Sequence, residues 1–204
     1  MTYAREELHV YTNDNSVKSI EIGLKSAVRA IQLDPKIPQA YLAIGLLNLA
    51  MEEYDNALAA ARHAIKLDQN YADGYALLAE IAVYGGDLKV GLAAIQRAKL
   101  LHPRHPPSYH WVEGHILYLL EEYDLVQTSL EHATRLGSKL LQVFTTLAAT
   151  YAQQGDLERA TGMLVQAQSI NQDINPIELI EKSNYKISKR RESLLDGLRK
   201  VPTS

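Results

Sequence analysis

The sequence predicts an all-α fold: a right-handed helix–turn–helix solenoid of about four repeat units, with a half-unit in front and a capping helix behind. Three observations carry this. Small residues recur as Ala30, Ala64, Ala98, Ala133 and Ala167, spaced by 34, 34, 35 and 34, each three residues before a large aliphatic (Leu33, Leu67, Leu101, Leu136, Ile170). Two further series, Gly45–Ala79–Gly114–Ala148 and Ile20–Tyr54–Leu88–Tyr123–Leu157, keep the same register. All three slip by one residue at the Pro-rich stretch from His102 to Pro107, where an inserted loop residue costs little.

The elements follow in order. Residues 1–15 form an irregular N-terminal segment, because the run YTNDNS is unlike a helix interior. The solenoid spans residues 16–174 and begins with a half-unit whose second helix carries Ile20 and Ala30. In the first full unit Tyr41, Ile44, Leu47 and Ala50 recur at helical spacing, Glu52-Glu53 interrupts them, and Tyr54, Ala57, Leu58, Ala61, Ala64 and Ile65 resume. The second unit breaks at Gly85-Gly86-Asp87 and the fourth at Gly155-Asp156, where Gly is expected to supply a left-handed residue and Asp to cap the next helix. Pro35, Pro103 and Pro176 mark other boundaries. Residues 175–204 read as capping helices and a tail: one helix from Pro176, a break near Ser183-Asn184, then Ser188 to Lys200 with Leu194, Leu195 and Leu198 on one face. Those leucines are expected to cover the open end of the fourth unit. No segment alternates with period two for long enough to suggest a strand.

The small residues mark close approaches between helices, where a larger side chain would overpack at about 1–3 kcal/mol. Tyr41, Ile44-Gly45, Tyr54, Ala57 and Ala64 give the first unit a pattern that resembles the tetratricopeptide repeat (TPR) family. The resemblance runs from about Ile20 to Ile170. The third unit departs from it, with Glu113 in place of the usual aliphatic and Val126 in place of the usual Ala. The closing NYKISKRRESLLDGLRKVP is also similar to the tail that follows TPR units in bacterial proteins with a class III nucleotide cyclase domain upstream. The strands and paired aspartates of such a domain have no counterpart in this chain.

Composition excludes several chemistries. A net charge of −3 gives no global basic field for nucleic acid or an anionic membrane. Zero Cys removes disulfides, thiolate zinc sites and Cys nucleophiles, and fits a cytoplasmic setting. The apolar runs, such as the one around Leu46–Met51, are too short to span a bilayer. His102-x2-His105 and His110-x4-His115 have spacings a metal uses, but they flank Pro and lack Asp or Cys alongside, so they read as solvated loop and groove histidines and no metal or cofactor is expected. Glu52-Glu53 and Glu121-Glu122 recur in separate units and suit helix N-termini, which explains them without catalysis. No phosphate-binding Gly loop and no nucleophile elbow is found in the sequence, so no catalytic residue is assigned and the chain is not read as an enzyme. Lys186, Lys189, Arg190 and Arg191 read as the wet face of the capping helix.

What remains is the concave face, lined by the first helix of each unit. Spacing places Gln39, Leu42, Leu46 and Leu49 there, then Asp73, Ala76, Glu80 and Tyr84, then Ser108, Trp111, His115 and Tyr118, then Gln142, Thr145 and Ala149. TPR proteins that hold the carboxylate-ended tails of chaperones use Lys, Arg and Asn on this face; Leu42 and Leu46 stand there instead, which disfavours that partner class. The candidate partner-binding residues are Gln39, Asp73, Glu80, Tyr84, Ser108, Trp111, His115, Tyr118, Gln142 and Thr145. Trp111 is expected to be partly exposed as an anchor, and His115 to lend binding a pH dependence between roughly 6 and 7. The resemblance implies a scaffold that takes a peptide or helix of a protein partner, and Glu80 and Asp73 favour a basic residue beside the partner's apolar anchor. The alternatives are an accessory region of a larger enzyme such as a nucleotide cyclase, and self-association as a homo-oligomer. The three leucines of the first unit are open either to a partner or to cover by the N-terminal segment.

Overall fold

The computed structural model describes residues 15–172, 175–183 and 185–202. Among them it is all α-helical, in eleven helices: α1 (Asn15–Leu33), α2 (Pro38–Ala50), α3 (Tyr54–Leu67), α4 (Ala72–Tyr84), α5 (Leu88–Leu101), α6 (Pro107–Leu119), α7 (Tyr123–Arg135), α8 (Leu141–Gln153), α9 (Leu157–Ile170), α10 (Pro176–Glu181) and α11 (Ser188–Arg199). The pairs α2–α3, α4–α5, α6–α7 and α8–α9 are the four repeat units, and each packs on the next. The first helices α2, α4, α6 and α8 also touch one another in sequence, so they form the continuous inner layer. Helix α1 takes in Asn15 and Ser16, the end of the polar run assigned to the irregular segment; the remainder of that segment lies outside the described residues.

The ladders of small residues mark the contacts. Ala64, Ala98 and Ala133, on second helices that meet the next unit, are fully buried, as is Ala167 at the equivalent position of the last unit. A Cβ on Gly114 would stand 2.4 Å from Leu130 Cδ2 of its own unit's second helix, and one on Gly45 would stand 2.5 Å from Leu77 Cδ2 of the next unit. The main core runs from unit two through unit four and on into Tyr185, Leu194, Leu195, Leu198 and Val201. A smaller cluster of Leu42, Ala57, Ala61, Leu77 and Ile81 joins units one and two, with Leu46 and Leu49 packed against it.

The turns hold a correction. Helices α2, α6 and α8 end in one motif, in which the amide of a left-handed residue and the amide after it reach back to carbonyls in the last turn. The left-handed residues are Glu52 (φ 64°), Glu121 (φ 64°) and Gly155 (φ 83°). In α2 the Glu52 amide donates to Leu49 O and the Glu53 amide to Asn48 O; in α8 the Gly155 and Asp156 amides donate to Ala152 O and Tyr151 O. The sequence pattern assigns the same role to Gly85-Gly86, yet Gly85 has φ −166° and Gly86 is not left-handed. Asp87 and Asp156 do cap the following helices, accepting the amides of Lys89 and Val90 and of Arg159.

The C-terminus holds the second correction. Leu194, Leu195 and Leu198 are buried, but not over the end of the fourth unit. Short α10 touches both helices of that unit, while α11 lies along the inner helix α8. There its leucines join the core shared by units two to four, while Val165 on α9 stays 62% exposed.

Candidate functional site

The concave trough is built by the one-turn repeat of α4, α6 and α8, which brings Tyr84, His115, Tyr118 and Ala149 to its floor. All four meet the C-terminal segment. The Tyr84 and Tyr185 rings lie 5.1 Å apart. Tyr185 Oη and His115 Nε2 form a 3.1 Å hydrogen bond. Tyr118 Oη donates to Ser193 O at 2.8 Å, and a Cβ on Gly197 would stand 2.7 Å from that same hydroxyl and 3.0 Å from Ala149 O. Residues 185–201 therefore occupy the groove from the end of α4 to the middle of α8.

Arg190 anchors this segment. Its guanidinium donates to Ala82 O, to Val83 O at 3.1 Å and to Gly86 O at 2.7 Å, all at the C-terminal end of α4. The Ile187 amide adds a 3.4 Å bond to Tyr84 O. A cation at a helix C-terminus also meets the favourable end of the dipole. The basic run is thus divided: Lys186 and Lys189 are exposed, while Arg190 and Arg191 are half-buried and not a wet face.

Besides Tyr84, which is half-buried against Tyr185, the candidate residues fall into three groups. Gln39 is exposed and Gln142 half-buried, both still reachable. Asp73 accepts the Tyr109 hydroxyl at 2.7 Å. Glu80, Ser108, Trp111, His115, Tyr118 and Thr145 are buried; Trp111 is 2% exposed, not the half-open anchor expected of it. Burial, with Arg190 nearby, pushes the His115 imidazole down to about 4, below the window expected for a switch at neutral pH. Burial raises the hydroxyl pKa of Tyr118 and of Tyr185, so both stay neutral donors. Leu42 is buried and Leu46 and Leu49 are half-buried; the N-terminal segment, their alternative cover, lies outside the described residues.

A second polar cluster was missed. Glu113, the departure in the third unit, receives Lys99 Nζ at 2.7 Å and Ser129 Oγ at 2.6 Å. His110 Nδ1 lies 3.2 Å from Ser129 Oγ, and burial pushes His110 down to about 4. His110 and His115 are thus both buried, and neither is a solvated histidine. A cavity of about 430 Å³ opens beside this cluster between α5, α6 and α7. Among the described residues no three His, Cys, Asp or Glu gather as a metal site. No helix there is long and apolar enough to cross a membrane.

Residues 38–71, which make up α2, α3 and their loops, match the family model of the tetratricopeptide repeat. The chain is 26% identical over 159 residues to the Protein CTR9 homolog of Arabidopsis thaliana, and spans 74% of its own length but 14% of that relative's. Among solved structures it is similar to TTC0263, a thermophilic TPR protein of Thermus thermophilus (22% identity, TM-score 0.65, 90% of this chain and 95% of that one). It is also similar to YrrB, a TPR protein with an unusual peptide-binding site (19% identity, TM-score 0.59, 87% and 91%). A third likeness is to the Cut9–Hcn1 hetero-tetramer of the APC/C (15% identity, TM-score 0.70, 95% and 40%). These structures share the fold.

Proposed function

We propose that this chain, which carries a tetratricopeptide repeat at residues 38–71 within an array of that fold, is a non-catalytic scaffold whose concave groove receives an amphipathic helix of a protein partner. One observation supports the reading most. The groove already holds such a helix: Leu194, Leu195 and Leu198 of α11 are 0–2% exposed against its wall, while Lys189, Asp196 and Arg199 face water. Helix-in-groove recognition rests on this pattern of apolar anchors one turn apart. The polar residues of the second cluster are engaged with one another, Glu113 holding both Lys99 and Ser129, which speaks for a structural role there. The peptide-binding site named for YrrB lends the groove reading support by fold likeness only. A cytoplasmic setting, suggested by the absence of Cys, belongs to the same proposal.

The test is site-specific photo-crosslinking in the source cell. A photoreactive residue at Gln39 or Gln142, both on the groove side, should capture a partner protein. The same residue at Ala93, exposed on the second helix of unit two, should not. Adducts from Ala93 alone would move the binding surface to the outer face.

A further inference from the structure

Of the four inner helices, α4 ends differently. In α2, α6 and α8 the two carbonyls before the last residue of the helix are satisfied by amides of the turn that follows: Asn48 and Leu49, Leu117 and Tyr118, Tyr151 and Ala152. The equivalent carbonyls of α4 are Ala82 O and Val83 O. Both accept from Arg190, a residue more than a hundred positions away. Gly86 O and Tyr84 O complete the cradle, with the Arg190 guanidinium and the Ile187 amide as their donors. The Gly85-Gly86 turn permits this, because a Cβ on Gly85 would stand 2.7 Å from Lys186 Cβ and crowd the tail there. The end of α4 is thus a receptor for one planar guanidinium and an extended backbone.

The other end of the segment is equally selective. Gly197 lies inside a helix, where glycine is unfavourable, and is needed there because Tyr118 Oη and Ala149 Cβ and O leave no room for a side chain. Leucines flank it at 194, 195 and 198. The groove therefore reads Arg-x3-Leu-Leu-x-Gly-Leu, from the carbonyls of α4 to the wall of α8.

We propose that residues 185–201 are a replaceable occupant that closes the groove in the free chain, and that the groove's partner is a helix carrying this same Arg-x3-Leu-Leu-x-Gly-Leu pattern. The inference rests on the groove being the protein-binding surface. Three features make the occupant replaceable. The units stack on one another through direct contacts among α2 to α9 that do not include it. Its anchor bonds are to main-chain carbonyls at a helix end, which water satisfies once the arginine leaves. Its outer face, with Lys186, Lys189, Asp196 and Arg199, is exposed, so nothing encloses it. Tethering gives the tail an effective concentration on the order of millimolar, so a partner helix competes only if it binds better than the tail or the tail is weakened.

The test uses a fluorescein-labelled peptide of residues 185–202 titrated with the full chain, as wild type, Arg190→Ala and Gly197→Leu. Both variants weaken the tail and leave the groove's own residues intact. Both should keep their helical circular dichroism and bind the peptide at least tenfold more tightly than wild type, whose tail competes. An R190A, R190K or G197L peptide should bind the released chain at least tenfold more weakly than the native one. If both variants lose their helical signal, the segment is a permanent part of the core and the proposal falls. It falls equally if folded variants bind no better than wild type. Dimers of wild type with exchanged tails, seen by sedimentation, would make the occupant a second copy and overturn the partner assignment. Crosslinking at Gln142 separates the two readings. Equal adducts from wild type and released chains overturn closure but leave the groove, whereas no adducts from any of them overturn the groove itself.

Discussion

Single residues set the geometry of this protein at its helix ends. Glu52 and Glu121 adopt the left-handed backbone that Gly155 adopts in the fourth unit, and a side chain there costs of order 1 kcal/mol. Glu121→Gly should therefore be neutral or stabilise by up to ~1 kcal/mol, read from the midpoint of urea unfolding; a loss above ~1 kcal/mol would show that the carboxylate has a structural partner. His115 carries part of the pH dependence. Its folded value of about 4 lies below the ordinary histidine value, so the folded state keeps it neutral while the unfolded chain takes up a proton. Its contribution is complete above about pH 6.5 and is lost as the pH falls towards 4, up to about 3 kcal/mol in all. His115→Gln should flatten the fall in melting temperature over that window, and only part of it, because His110 is depressed in the same way. An unchanged profile would mean that His115 is open to water.

At the scale of elements, the second helices hold neighbouring units together and the last helix holds the groove. Ala98 is fully buried where α5 meets the next unit, so Ala98→Leu should cost ~1–3 kcal/mol and loosen units two and three first. Hydrogen exchange checks this, and an even loss of protection across all units would contradict nearest-neighbour coupling. Leu195→Ala should cost about 2–5 kcal/mol by opening a cavity between α11 and α8, measured by the same unfolding midpoint. A change under ~0.5 kcal/mol would mean that α11 is not docked. The array was legible in the sequence because a period of about 34 places Ala64, Ala98 and Ala133 at the three inter-unit contacts and Ala167 at the equivalent position of the last unit. The seat of α11 was not. The leucine stripe at 194, 195 and 198 shows that the helix has an apolar face, but periodicity is silent on which surface meets it. Two signals pointed to the groove: Gly197 inside a helix, and a Gly85-Gly86 turn unlike its equivalents at Met51-Glu52 and Leu120-Glu121.

For the whole molecule, the consequence is that the trough read as an open partner surface is filled by the chain's own C-terminus. Spacing alone assigns ten residues to that surface. Tyr84, His115 and Tyr118 touch the tail directly, and six of the ten are buried. Spacing picks out residues on α2, α4, α6 and α8 but carries no information about a segment some seventy residues away in sequence. Because the chain lacks Cys, two introduced cysteines are the only labelling sites, and one pair reports the state of the groove directly. Spin labels at Asp196 on α11 and Gln154 at the end of α8, both exposed, give the distance between tail and groove wall by pulsed electron resonance. The wild-type chain should give one short, narrow distance that does not change on dilution, and Gly197→Leu should broaden and lengthen it while the helical signal stays. A broad distribution in the wild type, or a narrow one that survives Gly197→Leu, would contradict the account.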